Sequence, residues 1–375
     1  MTSAAAETVA LQAVRDAMAR VEQDVAEFYD PRVLDAVKAT LAVAACGCFA
    51  DTQQPTTLMF VEPRFTGPHT VVSFLSFPIP GRDYSLTAYI ETTGIGDARF
   101  FIHLSTTLNH RTLVTSWSRF PVSWTPANRR KLTSILAGKR FTLDRRRYTG
   151  PFAFQWVGDT TPADRDKLAA LFAPGMLFYD VLRGPRSPHD GSTACGIAVQ
   201  DFLLALYHAY PLASVSLDRI TVIDRHAREL DSWARTLAGP RGDGKDTVAL
   251  ARTLLHRIAI GSALAHGRTA VNDYDLSQVR HIVRSSTPDG DITRALAAAQ
   301  LVAEMRGHDP IVLRTSEALQ LFKQAGLLND AASEREAQAL LRRLGCRSQT
   351  HRVGDRTISA YRIDRASLTG DGGSR

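Results

Sequence analysis

The chain has 375 residues and a formal net charge of +7 at pH 7, with 45 Lys and Arg against 38 Asp and Glu. Hydrophobic residues make up 44% and charged residues 22%, which is typical of a folded globular protein and excludes a disordered or collagen-like chain. Four scattered cysteines exclude a disulfide scaffold and a zinc cage and favour a reducing compartment. The chain begins without a signal-peptide pattern, and its most apolar stretch, residues 41–50, is about half a membrane span. We therefore expect a cytoplasmic protein with no membrane partner.

Residues 1–30 predict an N-terminal amphipathic helix. Apolar side chains recur there every three or four positions, at Leu11, Val14, Met18, Val21, Val25 and Phe28. This short heptad seam is expected to dock on the body of the protein itself. Self-association, or binding of a protein partner through residues 8–28, is the alternative.

Residues 31–190 predict an α/β core, because strand-like runs alternate with helical patterns. The predicted helices are 33–50, 126–137 and 162–172, and the predicted strands are 57–61, 84–91, 99–104, 111–117, 152–157 and 176–182. A linker rich in proline and glycine at 183–193 ends this region.

Residues 191–308 predict an all-helical domain. Strand signals nearly vanish there, and helices are expected at 195–210, 216–238, 246–266, 273–286 and 291–306. Asn272 or Asp273 is placed to cap the fourth of these helices.

Residues 309–365 predict a winged helix, followed by a flexible tail at 366–375. Two helices, 315–325 and 333–344, precede two strands, 348–353 and 357–363, which are joined by a Gly354-Asp355 turn. In a winged helix the second helix enters the major groove of DNA and the hairpin contacts the backbone. A winged helix that only docks on proteins is the alternative.

An α/β domain, a helical domain and a winged helix in this order resemble AAA+ proteins of the minichromosome-maintenance and origin-recognition type. The segment Thr247–Ser286 looks like the last helices of the lid in those families. The resemblance implies an ATPase core, a helical lid and a C-terminal winged helix. It also implies where a nucleotide site belongs, which is directly after the first core strand.

The segment after that strand does not provide a phosphate loop. The pattern GxxxxGK[ST] places its first glycine at Glu62, its second at Gly67, its lysine at Pro68 and its Ser/Thr at His69. A glutamate and a proline at these positions oppose polyphosphate binding by negative charge and by loss of an amide donor. We expect a degenerate nucleotide site, no cofactor, no metal and no catalytic residue.

The carboxylate that holds magnesium is missing as well. The expected carrier is the strand at 100–104, yet no Asp or Glu occurs between Ala98 and Leu143. The polar end Asp159-Thr160-Thr161 does resemble the strand end that senses the γ-phosphate in AAA+ proteins, but alone it cannot hold MgATP.

A second glycine-rich segment, Gly239–Asp246, matches a phosphate loop except that Asp246 replaces Ser/Thr. A predicted helix precedes it where a phosphate loop requires a strand. We interpret it as a loop between lid helices.

Basic residues concentrate in two segments that are expected to contact DNA phosphates. The core segment 125–150 also contains Lys131, and its residues assigned to DNA contact are Arg129, Arg130, Lys139, Arg140, Arg145, Arg146 and Arg147. The second basic segment runs from Arg335 to Arg365 and includes Arg347 and Arg362. Its residues assigned to DNA contact are Arg335, Arg342 and Arg343 with the uncharged Gln338 on the second helix, and Arg352 and Arg356 beside the hairpin turn.

The sequence thus predicts a non-catalytic DNA-binding protein, with duplex DNA favoured, on a degenerate AAA+ scaffold. Replication, mobile-element maintenance or transcription control are the expected settings. Two alternatives stay open: an active ATPase that uses Lys245, and a protein-interaction scaffold or inactive subunit of a mixed ring.

Overall fold

The structure is a computed structural model of the 375-residue chain. It describes residues 3–62, 71–76, 87–89, 101, 110–116, 125–143, 145–150, 152–181, 192–238, 245–287, 298, 301–302, 304–305, 310–325, 327–328, 332–353 and 356–363. The predicted linker at 183–193 and the tail at 366–375 lie almost entirely outside these residues.

Five parallel strands form the central sheet of the core. The strands of this region, in chain order, are β1 (Thr56–Val61), β2 (Thr87–Tyr89), β3 (Thr112–Ser116), β4 (Phe141–Leu143), β5 (Arg146–Tyr148), β6 (Gln155–Thr160) and β7 (Leu177–Asp180). The sheet order is β2-β3-β6-β1-β7, and β4 pairs with β5 in a separate antiparallel hairpin. Because β1 lies between β6 and β7, Val61 pairs with both Thr160 and Asp180 at the carboxyl edge of the sheet.

Helices cover both faces of this sheet, so its strands are apolar on both sides. The helices are α1 (Ser3–Phe28), α2 (Pro31–Ala45), α3 (Pro126–Leu136), α4 (Pro162–Phe172), α5 (Ser192–Ala209), α6 (Asp224–Ala238), α7 (Lys245–Ala265), α8 (Asp273–Ser286), α9 (Thr315–Gln324) and α10 (Glu334–Arg343). Leu58 and Phe60 belong to the apolar cluster shared with α1, α2 and α5–α8. Met59 and Val61 belong to the cluster shared with α3, α4 and the C-terminal residues.

Local sequence explains where several helices begin. Thr125 and Thr161 accept a backbone N–H from the first turns of α3 and α4, and each is followed by a proline that is preorganised for the first helical position. Asn272 and Asp275 form a reciprocal capping box at the start of α8. The predicted cap is therefore confirmed at Asn272.

The predicted N-terminal seam packs against the body of the protein. Val14, Met18, Val21 and Val25 are at most 2% exposed, and α1 lies along α5. In the same cluster α2 crosses α7 so closely that a side chain at Gly261 would collide with the carbonyl oxygen of Ala42. A helix from the predicted core and a helix from the predicted lid therefore share one apolar interior. The boundaries 1–30, 31–190, 191–308 and 309–365 stay predictions.

One described helix, α7, is long and apolar enough to cross a membrane, but 67% of its most apolar window is buried inside the protein. A core helix has the same properties, and the crossing with α2 gives this helix a place in the protein interior.

The C-terminal residues form a small α/β unit. Strand β8 (Ile311–Arg314) precedes α9 and α10, and β9 (Arg347–Val353) and β10 (Arg356–Ile363) follow them. These strands form an antiparallel sheet in the order β8-β10-β9. The two helices and the strand pair match the predicted elements, whereas β8 is an additional strand.

Three predictions for the core and lid need correction. Phe101 is the one described residue of the predicted strand 99–104, and it is helical. The predicted strand 152–157 lies at 155–160, because Phe152, Ala153 and Phe154 enter the core before strand pairing begins. The predicted helix 216–238 is a 3-10 turn at Leu217–Arg219 followed by α6.

Candidate functional site: the carboxyl edge of the sheet and two basic surfaces

The carboxyl edge of a parallel sheet is where α/β proteins bind ligands, and in this chain Glu62 occupies it directly after β1. Glu62 is 4% exposed. Its Oε1 accepts the backbone N–H of Val71 at 3.1 Å, at the start of the 3-10 helix Val71–Ser76. A carboxylate of the chain itself thus takes an amide donor of the helix that follows the first strand. In a phosphate-binding loop, such donors face the ligand.

The sheet order corrects the predicted position of the magnesium carboxylate. The strand beside β6 is β3, at Thr112–Ser116, and not the segment 100–104. β3 lies within the stretch 98–143 that contains no Asp or Glu, so the edge lacks that acid at the corrected position as well. Thr115 near its end accepts a hydrogen bond from the Trp156 indole at 2.8 Å.

The polar residues at the end of β6 are buried inside the protein. Asp159 and Thr160 belong to the strand and are 3% and 2% exposed. The carbonyl oxygen of Thr160 accepts the N–H of Glu62 at 2.9 Å, and the hydroxyl of Thr161 caps α4. The backbone of Thr160 and the side chain of Thr161 are therefore engaged in strand pairing and helix capping, whereas the buried hydroxyl of Thr160 has no hydrogen-bond partner among the described residues.

At the end of β7, Asp180 connects the sheet to α8. Its Oδ1 lies 2.5 Å from Nε2 of His281 and accepts a hydrogen bond from the Ser285 hydroxyl at 2.5 Å. Burial alone would lower the pKa of His281, but the hydrogen bond and charge of Asp180 raise this pKa above 6.5. Burial would raise the pKa of Asp180, but the hydrogen bonds from His281 and Ser285 and the charge of His281 hold this pKa below 3.8.

Arg165, which lies on α4, also connects the core to α8. It is 2% exposed, and its Nη2 donates to the carbonyl oxygens of Ser285 and Thr287 at 2.6 and 2.8 Å. A cation at the carboxyl end of α8 also complements the helix dipole. Sequence reasoning missed Arg165, Asp180 and His281, because only the tertiary fold brings them together.

The structure describes the loop that is predicted to be degenerate only in part. Gly67, Pro68 and His69 lie outside the described residues, so the comparison with a phosphate loop stays a sequence prediction there. Glu62 is the member of that set whose surroundings are described.

The glycine-rich segment Gly239–Asp246 is described only at Lys245 and Asp246, which begin α7. Helix α6 precedes it, so the strand that a phosphate loop requires is absent. Asp246 lies 3.6 Å from Lys139, beside a cavity of about 360 Å³ that is also lined by Gln54 and Gly175. Those two residues precede β1 and β7, so this segment lies at the amino edge of the sheet, opposite the carboxyl edge.

The basic segment 125–150 forms α3 and the β4–β5 hairpin. The exposed residues of the predicted DNA-contact set are Arg130, Lys139, Arg140, Arg145, Arg146 and Arg147, whereas Arg129 is half-buried. Stacking of Phe141 on Tyr148, with ring centroids 5.1 Å apart, holds the two strands together. A groove of about 270 Å³ between α3 and β4 is lined by Arg130 and Lys131. The fold therefore gathers one basic surface from this segment.

Helix α10 presents the second predicted set to solvent. Ala337, Leu340 and Leu341 are buried, while Arg335, Arg342 and Arg343 are exposed and Gln338 is half-buried. This is the division of faces that the sequence predicts. The side chains of Arg352 and Arg356 lie outside the described residues, so their positions at the hairpin turn stay predictions.

Comparison with known proteins shows no matching family model and no similar curated protein. Two of the solved structures that are similar to this chain share 12% sequence identity with it, and each alignment covers 76% of this chain. One is an ATPase candidate from Cytophaga hutchinsonii, with a TM-score of 0.41 over 90% of its length. The other is a full-length MCM homolog from Methanopyrus kandleri, with a TM-score of 0.43 over 63% of its length. The described part of the chain itself has a parallel α/β core surrounded by many helices.

Proposed function

We propose that this chain is a non-catalytic DNA-binding protein built on a degenerate AAA+-like scaffold with a C-terminal winged helix. It would act in replication, mobile-element maintenance or transcription control, with duplex DNA as the partner. The observation that carries this proposal is the exposed arginine face of α10, which lies directly opposite a buried apolar face.

The arrangement of the C-terminal unit supports a winged helix. Two helices are followed by the β9–β10 hairpin, and β8 completes a three-stranded sheet. In such a unit α10 is the helix that reads the major groove. Arg335 and Arg342 project from its exposed face, and no acidic side chain among the described residues forms an ion pair with either of them.

The contacts of Glu62 support the non-catalytic part of the proposal. A nucleotide at the carboxyl edge would bring its phosphates close to a buried carboxylate that already accepts a backbone amide. The missing lysine and the missing acid after β3 remove two further ligands of MgATP.

Paired substitutions at the two parts of the winged helix test DNA binding. Arg352→Ala with Arg356→Ala should weaken binding to every duplex and reduce the salt slope by about one to two units. Arg335→Ala or Gln338→Ala should instead cost roughly 1–3 kcal/mol on a preferred site and little on random DNA. Fluorescence anisotropy of labelled duplexes across a salt series measures both effects.

Arg228→Ala provides a control, because this arginine is exposed on α6, a helix that is part of neither proposed surface. Circular dichroism confirms that each variant keeps its fold. If all four substitutions leave both affinities unchanged in folded protein, α10 and the hairpin turn do not read DNA.

The ATPase alternative has its own test. ATP binding that is measured by calorimetry and lost in Lys245→Ala would establish that alternative and contradict the proposal. We expect no binding, since the described end of this segment lies at the amino edge of the sheet.

A further inference from the structure

The outer face of the sheet β8-β10-β9 carries three arginines that α10 and the hairpin turn do not include. Arg362 on the central strand pairs directly with Arg347 on β9 and with Val312 on β8. One pair further along, Ala360 lies between Arg314 and Gln349. Residues that are directly opposite on neighbouring strands point to the same face, so the three arginines share one face.

This face points away from the helices. Tyr361 and Ile363, which alternate with Arg362 along β10, are at most 2% exposed and join the apolar cluster of α9 and α10. Arg314, Arg347 and Arg362 are all exposed. The sheet therefore has an apolar inner face against the helices. Its outer face exposes the three arginines, while the small side chain of Ala360 between them is buried.

The arrangement is electrostatically unfavourable in the isolated protein. Arg347 and Arg362 are directly opposite each other, and like charges at such positions destabilise a sheet. Within the described part of the chain, no carboxylate forms an ion pair with any of the three arginines. A bound anion would remove this repulsion.

We propose that the outer face of this sheet is a nucleic-acid backbone surface, in which Arg314, Arg347 and Arg362 bind phosphates. This inference rests on the proposed DNA-binding function and adds a contact surface on the side of the sheet opposite α10. The planar guanidinium fork matches phosphate geometry in two-bond contacts. Gln349, exposed on the same face, supplies the uncharged donor that is common at phosphates.

The composition of the face favours phosphates over an acidic protein. Val312, 47% exposed, is its one exposed large hydrophobic residue among those the structure describes. Protein interfaces generally have an apolar core with charge at the rim. The described side chains of this face form no such core, and a partner that is recognised by charge, such as a phosphate backbone, suits them.

The decisive variant is Arg314→Gln/Arg347→Gln/Arg362→Gln in the full chain. Its matched control is Arg228→Gln/Arg235→Gln/Arg284→Gln, which removes the same charge from exposed positions on α6 and α8. Anisotropy of a labelled duplex of roughly three helical turns is measured across a salt series. The outer-face variant should bind at least about tenfold more weakly and lose about two to three units of salt slope, since each phosphate contact contributes about 0.9 units. The control should change affinity by no more than about twofold.

A second measurement separates binding from folding. Arg347→Gln alone should raise the midpoint of thermal unfolding, because it removes one of two opposed charges, while it weakens DNA binding. A lower unfolding midpoint would assign this arginine a structural role and contradict the inference.

The two proposals fail in different ways. If the outer-face triple variant binds DNA like its control while Arg335→Ala weakens binding to a preferred site, this inference is wrong and the proposed function stands. If the protein binds no duplex even at low salt, the proposed function itself is wrong. In that case, an acidic protein partner becomes the better explanation of the basic face.

Discussion

The carboxyl edge of the core sheet and the outer face of the small C-terminal sheet differ in whether their charged side chains have partners inside the protein. At the core edge, the buried Glu62 accepts an amide and the partly buried Asp180 contacts both His281 and Ser285, so both carboxylates have partners inside the protein. On the outer face, Arg347 lies opposite Arg362 and neither has a described acidic partner. Internal satisfaction is typical of groups that stabilise a fold. Uncompensated surface charge indicates a partner of opposite sign.

The largest expected effect concerns the contact between the core and α8. Arg165→Met removes a buried cation that donates to the carbonyl oxygens of Ser285 and Thr287. This substitution should lower the free energy of unfolding by about 3 kcal/mol. Hydrogen bonds from charged groups are strong, and the two carbonyl oxygens would lose their donor. Urea denaturation measures the loss. The exposed Arg284 on α8 gives the control Arg284→Met, which should change stability little. Equal losses in both variants would show that Arg165 has no special role.

The next prediction concerns Glu62, the carboxylate at the carboxyl edge of the core sheet. Glu62→Ala should cost about 1–3 kcal/mol of stability, because the N–H of Val71 loses its acceptor in a buried site. Glu62→Gln keeps an oxygen acceptor and should retain more of the stability. Neither variant should bind ATP, because the lysine of a phosphate loop is absent. A gain of tight nucleotide binding in Glu62→Gln would instead identify Glu62 as the group that blocks a competent site.

Substitutions in the β4–β5 hairpin should weaken DNA binding without lowering the stability of the protein. Arg145→Gln/Arg146→Gln/Arg147→Gln removes three exposed charges and should reduce the salt slope of duplex binding by about two to three units. The unfolding midpoint should stay nearly constant, since exposed charges contribute little to stability. Unchanged DNA binding would restrict the contact surface to the C-terminal unit.

The smallest effect is a pH dependence of the contact between Asp180 and His281. Because the pKa of His281 is raised, the stabilisation by its charge is present below pH 6.5 and is lost as pH rises through the folded-state pKa. Because the pKa of Asp180 is lowered, its contribution is present above pH 3.8 and is lost as pH falls through the lowered pKa. The contribution of the pair to the free energy of unfolding should therefore be largest between about pH 4 and 6.5.

Urea denaturation of the wild type and of His281→Gln over this range and above it measures that dependence. The difference in stability should shrink as pH rises above the folded-state pKa of His281. A difference that does not vary with pH would mean that His281 acts through packing alone.

The sequence predicts most of the helices because their caps and apolar spacing are local signals. Thr125 and Thr161 mark the starts of α3 and α4, and the apolar spacing of α10 correctly divides Leu341 from Arg342. Short strands are harder to predict, since pairing and not local sequence defines them. Phe101 belongs to a segment with the composition of a strand, yet this residue is helical, and β8 was not predicted at all.

The candidate sites likewise contain residues whose positions the sequence predicts and residues whose contacts only the tertiary fold defines. The position of Glu62 is predictable, because it directly follows a buried strand. The contacts of Arg165 with Ser285, 120 residues away, depend on how α4 and α8 pack, and no spacing in the sequence indicates them. The arginine row depends on strand register, which places Arg347 opposite Arg362 and brings Arg314 to the same face.

The most direct test of the central claim is a salt titration of duplex binding in the presence and absence of MgATP. Anisotropy of labelled duplex and single-stranded DNA should show tighter binding to the duplex, with an affinity that falls steeply as salt rises. The same curves should be obtained with and without the nucleotide. A protein that binds neither DNA at low salt, or that binds duplex only when MgATP is present, would contradict the account.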